Sequence, residues 1–302
     1  MATSLQVLLD QFREQALAVR DQGTSFEKLM IQYFSTEAFY RSFYDEVLPY
    51  ADWVTRYGAQ AGIERRTDTG IDLVAITKDG RFHAIQCKNY APDYCIVMSD
   101  ISNFFAASGR ACFSNRIIVA TTDNWSQNAL DVLENQHPPV FRIGLHNLSN
   151  SAIDWSLYHE KSWYLVVKPK KQLRDHQGIA LKRVVEGFKE ADRGKMIMAC
   201  GTGKTFTSLK IAEKMAGAGK RVLFLVPSLA LLSQALTEWT QESTIPLKSF
   251  SVCSDSDVGK TGTDDRIVTG ISELQYPATT DAESLRIQIA KLHSDEAMTV
   301  VF

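Results

Sequence analysis

The chain has 302 residues, 45% of them hydrophobic and 23% charged, with a formal net charge of −2. That composition excludes disordered and fibrous proteins, and the length suggests about two domains of roughly 150 residues each. No apolar run approaches the ~20 residues of a membrane helix. The near-neutral charge leaves nucleic acid open as a partner, because a local basic groove can sit on a neutral protein.

The N-terminal stretch MATSLQVLLDQFREQ alternates apolar and polar residues as an amphipathic helix does, unlike a signal peptide. Leu5, Leu8, Leu9, Phe12, Ala16 and Val19 fall at helical spacing. A second helix begins in DQGTSFEKLMIQYF, with Phe26, Leu29, Met30, Tyr33 and Phe34 on one face. Thr24-Ser25-Phe26-Glu27 has the spelling of a capping box at that helix start. Two strands follow, at residues 71–76 and 82–88, joined by the tight turn Lys78-Asp79-Gly80-Arg81. Then come a helix in SDISNFFAASG, a strand in RIIVATT, a helix from Ser126 in SQNALDVLEN, and a strand in PVFRIGL. This order makes a small mixed sheet flanked by helices.

Lys168-Pro169-Lys170-Lys171 is basic and interrupted by proline, as a linker or domain entry would be. We place the boundary near Val166, giving domains at 1–165 and 166–302. Beyond it, a helix at 175–188, a strand at 195–200, a glycine loop, a helix at 205–215 and the strand RVLFLVP spell a βαβ unit of a parallel sheet. The five cysteines form no C-x-x-C pair and the six histidines no H-E-x-x-H. A disulfide framework and a zinc ribbon are thereby excluded, and a reducing cytoplasm fits.

Chemistry concentrates at two places. In the hairpin, alternation puts Gln86 and Lys88 on one face and Ile85 and Cys87 on the other, with Asp72 near Lys88. Asp72 would give Mg²⁺ a hard oxygen, and the Cys87 backbone carbonyl another. Lys88 would position an attacking water and offset phosphate charge. Gln86 can ligate Mg²⁺ but brings no charge, so the site wants another carboxylate, for which Glu27 is the candidate. Glu27 then has two readings, metal ligand or helix cap. Asp68 reads as a loop acid, and the Cys87 thiol as packing. An exposed ion pair between Asp72 and Lys88 is the bland alternative.

The second place is MIMACGTGKTFTSLKIAEKM, where an apolar segment runs into Gly201-Thr202-Gly203-Lys204-Thr205 and an amphipathic helix. Backbone N–H groups of such a loop hold phosphate oxygens. Lys204 would reach the β- and γ-phosphates of ATP, and Thr205 would ligate its Mg²⁺. Met198 occupies the place of the first glycine. Asp295-Glu296 imitate an acidic ATPase box, but a helical segment precedes them and apolar MTVVF follows. They read as a turn before a last strand, so the ATPase acids are expected beyond this chain.

These residues carry two resemblances. MACGTGKT resembles motif I of superfamily 2 helicases, LRDHQ resembles the Q-motif region of their restriction-type members, and LFLVPSLALLSQALTEW resembles motif Ia. The resemblance implies that Gln177 reads adenine and that Pro227, Ser228 and Gln234 lie in a segment that touches the DNA backbone. Leu229, Leu231, Leu232 and Leu236 are simpler as core. GIDLVA…AIQCK with an upstream G-T-x-F-E resembles the Mrr-like branch of the PD-(D/E)XK nucleases, where D…Q-x-K is normal. That resemblance implies a metal site of Asp72, Gln86, Cys87 and Glu27 with Lys88.

The fold class expected is α/β, a mixed-sheet PD-(D/E)XK nuclease domain followed by a RecA-like P-loop domain cut before motif II. Their order is similar to single-polypeptide type ISP restriction-modification enzymes. This implies Mg²⁺-dependent cleavage of double-stranded DNA controlled by an ATP-driven translocase. A C-terminal motor half, a methyltransferase and a target-recognition region would follow, and a second copy would complete double-strand cutting. The alternatives are a helicase–nuclease without methylation, an inactive DNA-clamping module, and a nucleotide-sensing regulatory domain.

Overall fold

The computed structural model describes residues 3–15, 19–63, 70–134, 136–159, 164–253, 278–279 and 281–302. They fall into two compact units that part between Lys168 and Pro169. Asp68 lies outside the described residues.

The first unit opens with helices α1 (Ser4–Gln15), α2 (Val19–Thr36) and α3 (Ala38–Phe43). Strand β1 (Tyr44–Pro49) and α4 (Tyr50–Ala61) precede the hairpin of β2 (Leu73–Thr77) and β3 (Phe82–Lys88). There follow α5 (Met98–Ser108), β4 (Phe113–Ala120), α6 (Gln127–Leu133), β5 (Val140–Ile143) and α7 (Leu145–Ser149). A separate ribbon of β6 (Ile153–His159) and β7 (Tyr164–Val167) closes the unit. The main sheet has the order β1-β2-β3-β4-β5. β1, β2 and β3 run antiparallel, whereas β3, β4 and β5 are parallel, so the sheet is mixed.

Alternation along the strands divides the core between the two sheet faces. Val74, Ile76, Phe82, Ala84 and Ile118 join one cluster with Trp53 of α4 and Ile101 and Phe104 of α5. The intervening Leu73, Ala75, Ile85 and Ile117 are also fully buried. Trp53 centres the first cluster, its ring 5.1 Å from Phe82 and 5.4 Å from Phe113. Truncating so enclosed an aromatic costs about 3–5 kcal/mol.

Strand β1 was not foreseen: Asp45 and Glu46 interrupt its apolar pattern, and pairing with β2 forms it. The second helix starts at Val19, earlier than the capping spelling suggested, so Thr24 to Glu27 lie inside it.

The second unit comprises α8 (Asp175–Gly187), α9 (Lys204–Met215), β8 (Arg221–Leu223), α10 (Leu229–Glu242), β9 (Leu247–Val252), β10 (Ala278–Thr279), α11 (Ala282–Leu292) and β11 (Met298–Val301). Its sheet is parallel with order β10-β9-β11-β8. Asp295 and Glu296 occupy the turn between α11 and β11, as their flanking segments implied.

Three expectations need correction. Residues 195–200 form no strand. They are apolar enough, but a strand needs a neighbour for its backbone groups, and they have none among the described residues; Ile197 is 91% exposed. The strand in RVLFLVP stops at Leu223. Leu232 and Leu236 are core, but Leu231 is exposed and Leu229 half-buried, because the buried stripe of α10 runs through Leu232, Ala235, Leu236 and Trp239.

Candidate functional site

Asp72 stands at the entrance to β2. Its backbone N–H donates to the Ile85 carbonyl at 3.0 Å, and its carbonyl accepts from the Tyr50 N–H at 2.9 Å. The acid is therefore fixed between two neighbouring segments. Its Oδ2 accepts from the Cys87 N–H at 2.6 Å, a charge-assisted bond of the stronger kind. Extending the pairing Leu73↔Ile85 by one residue sets Asp72 opposite Gln86, with Lys88 two residues further along the same face.

Gln86 is 4% exposed. Its Nε2 donates to the Gly70 carbonyl at 3.1 Å, while its enclosed Oε1 has no hydrogen-bond partner among the described residues. Leaving a buried acceptor unpaired costs about 1–3 kcal/mol. An oxygen held ready in this way beside a carboxylate fits a hard, oxygen-liganded cation such as Mg²⁺.

In an extended strand the N–H and C=O of one residue project to the same side. The Cys87 N–H faces Asp72, so the Cys87 carbonyl suits the ligand role expected of it. The Cys87 thiol is pushed well up from its usual range, first by burial and then by the negative charges of Asp72 and Glu27, with Lys88 opposing. The thiol remains protonated, in keeping with packing and not chemistry. Glu27 lies half-buried inside α2, two turns past its start, so it does not cap the helix. Among the described residues no three His, Cys, Asp or Glu side chains gather for a metal. A set of two carboxylates, one amide oxygen and one carbonyl fits Mg²⁺ and does not fit zinc.

The Lys88 ammonium lies 6.0 Å from the centre of the Tyr90 ring. Tyr90 is in turn anchored: its hydroxyl donates to Asp100 at 3.2 Å, its N–H donates to Thr121 Oγ1 at 2.8 Å, and its carbonyl accepts from Arg13 Nη2 at 2.9 Å. Neither Tyr90 nor Asp100 was singled out from the sequence. The signal available was only an aromatic two residues past the lysine.

In the second unit, Gly201 and Gly203 have φ of 74° and 81°, the left-handed region that favours glycine. A Cβ on Gly203 would lie 2.4 Å from Gln177 Nε2. Buried Gln177 braces the loop: its Oε1 accepts from the Arg174 N–H at 2.9 Å, and its Nε2 donates to the Thr202 carbonyl at 3.0 Å. Lys204 is exposed, its Nζ donating to the Met198 carbonyl at 3.1 Å. The Thr205 carbonyl accepts from Trp239 Nε1 at 3.1 Å, which ties the first turn of α9 to α10. A cleft of about 790 Å³ adjoins the loop, with Arg183, Arg193 and Lys195 on its walls.

Residues 35–163 match the family described as restriction endonuclease, and residues 170–297 match the family described as type III restriction enzyme, res subunit. The chain is thus a restriction endonuclease domain followed by a helicase-type domain. It is similar to the ATP-dependent type ISP restriction-modification enzyme LlaBIII bound to DNA, with 34% identity, a TM-score of 0.75, and coverage of 97% of this chain and 18% of that one. A nuclease-deletion mutant of the type ISP enzyme LlaGI, in complex with a DNA substrate mimic, is 38% identical over 43% of this chain and 12% of that one, with a TM-score of 0.34. No curated protein matches. The chain spans about 18% of the length of the LlaBIII chain, and no described helix is long and apolar enough to cross a membrane.

Proposed function

We propose that this chain cuts the backbone of duplex DNA with Mg²⁺ at the Asp72, Gln86 and Lys88 end of the hairpin. The observation that carries this reading is the enclosed Oε1 of Gln86 opposite Asp72, which has no hydrogen-bond partner among the described residues. Asp72, Gln86 Oε1, the Cys87 carbonyl and Glu27 would hold the ion. Glu27 supplies the negative charge that Gln86 lacks. Mg²⁺ contributes Lewis acidity, lowering the pKa of water and stabilising charge on the phosphate. Lys88 holds the attacking water and offsets the charge that develops on the phosphate oxygens.

The second unit, from about residue 166, acts as the first RecA-like domain of a motor. Gly201, Thr202 and Gly203 with the α9 N-terminus receive the ATP phosphates. Lys204 exchanges its Met198 carbonyl for them, Thr205 ligates the nucleotide's Mg²⁺, and Gln177 supports the loop and meets adenine. This chain binds ATP without turning it over. In a longer protein the remaining motor, a methyltransferase and a target-recognition region follow, and ATP-driven translocation along DNA in the cytoplasm controls cutting. A second copy completes double-strand cleavage.

Cutting of plasmid DNA by wild type and Asp72→Ala, with Mg²⁺ and with chelator, tests the reading. Cutting by wild type in Mg²⁺ alone supports it. Undiminished cutting by Asp72→Ala sinks it.

A further inference from the structure

The glutamine of this site raises a chemical question: why an amide where a carboxylate would bind Mg²⁺ more strongly? The geometry points to the Gly70 carbonyl as the group that fixes Gln86 in place and selects glutamine over glutamate. This inference rests on the nuclease reading and assigns Gly70 as a positioning residue.

A backbone carbonyl can only accept a hydrogen bond. Gln86 therefore turns its Nε2 to the Gly70 oxygen at 3.1 Å, and its Oε1 is left for the site, where it is enclosed and unpartnered. The amide is oriented before any ion arrives, so its oxygen needs no reorganisation on binding. Gly70 itself cannot drift. Its φ is 86°, and a Cβ there would lie 2.9 Å from the Phe104 backbone nitrogen and 3.0 Å from the Asn103 carbonyl carbon of α5. Only glycine brings this carbonyl so close to the helix while holding that backbone conformation.

A glutamate at position 86 would set a carboxylate oxygen against the Gly70 oxygen with no proton between them. The added negative charge would improve attraction for the ion, but the side chain would be repelled from the one rotamer that the site uses. In a 4% exposed position there is little water to screen the two oxygens, so the misfit outweighs the charge. Glu27 of α2 then provides the second carboxylate.

Two measurements on the full chain test this, using Mn²⁺ as the probe. In the first, Mn²⁺ is titrated calorimetrically into wild type, Gln86→Glu and Asp72→Ala, with DNA cutting followed alongside. We expect Gln86→Glu to bind Mn²⁺ about tenfold or more weakly than wild type and to cut correspondingly slower. Equal or tighter Mn²⁺ binding with full cutting by Gln86→Glu would overturn the inference. Asp72→Ala separates the two levels: if it keeps both Mn²⁺ binding and cutting, the nuclease reading itself has failed. The second measurement does not depend on Gln86→Glu folding. In metal-free wild type, the Gln86 side-chain amide, assigned by its loss in Gln86→Ala, should show one proton that exchanges slowly with solvent. Two freely exchanging protons would overturn the inference.

Discussion

Asp72 and Cys87 are joined across the hairpin by a hydrogen bond from the Cys87 N–H to Asp72 Oδ2 at 2.6 Å. One acid thereby closes the end of the β2–β3 pair and faces the position opposite Gln86. Its structural and chemical roles can be separated by substitution.

Asp72→Asn keeps an oxygen for the Cys87 N–H but removes the charge. We expect stability within about 1 kcal/mol of wild type and loss of cutting. Asp72→Ala leaves the Cys87 N–H unpaired and is expected to lose about 1–3 kcal/mol as well. Chemical denaturation of both variants beside a cleavage assay checks this; equal stabilities would show that the bond contributes nothing.

Glu27 sits inside α2 and not at its start. Glu27→Gln should therefore leave helix content unchanged and shift stability by less than the roughly 1 kcal/mol typical of a lost cap. Mn²⁺ affinity should fall. A drop in stability without a change in metal binding would return Glu27 to a structural role.

Glu37 is 1% exposed and is pushed up to about 7 by burial, against the backbone N–H groups of Tyr40, Phe39 and Ala38, which favour its charged form. A carboxyl raised on folding binds its proton more tightly in the folded state. Below pH 4.5 it is protonated in both states; as pH rises through 7, the folded state must bury a charge. Stability should fall across that window, by about 3 kcal/mol from this group. Glu37→Gln should flatten this part of the stability–pH curve. Identical curves for the two proteins would remove the assignment.

Gly203→Ala would drive a methyl group into Gln177 Nε2 at 2.4 Å and strain a backbone at φ 81°. Lys204→Ala removes an exposed side chain and its solvent-accessible bond to the Met198 carbonyl, so stability should stay within about 0.5 kcal/mol. Both should lose ATP binding, Gly203→Ala with a lower Tm and Lys204→Ala without one. Fluorescent-nucleotide titration checks this, and retained binding by Lys204→Ala would contradict the role given to the loop.

Local patterns made much of this legible. The tight turn at Asp79-Gly80 marked the β2–β3 hairpin, the two-residue period of a strand put Gln86 and Lys88 on one face, and Ser126 marked the start of α6 because its hydroxyl caps the Ala129 N–H. Glycines 201 and 203 marked the loop because their backbone requires them. What stayed hidden depends on contacts distant in sequence. The apolar residues 195–200 announce hydrophobicity but not whether a neighbouring strand exists. Thr24 to Glu27 spell a cap, yet the helix runs through them from Val19. The Gly70–Gln86 bond spans 16 residues, and the packing of Gln177 on Thr202 spans 25. No periodicity encodes either.

Under the proposed nuclease reading, Lys88 and its neighbours cut DNA. The most direct measurement compares wild type and Lys88→Ala on linear duplex DNA in Mg²⁺, with DNA binding followed across a salt series. Lys88→Ala should still bind DNA with a salt-dependent affinity while cutting disappears. Cutting by Lys88→Ala at the wild-type rate would contradict it.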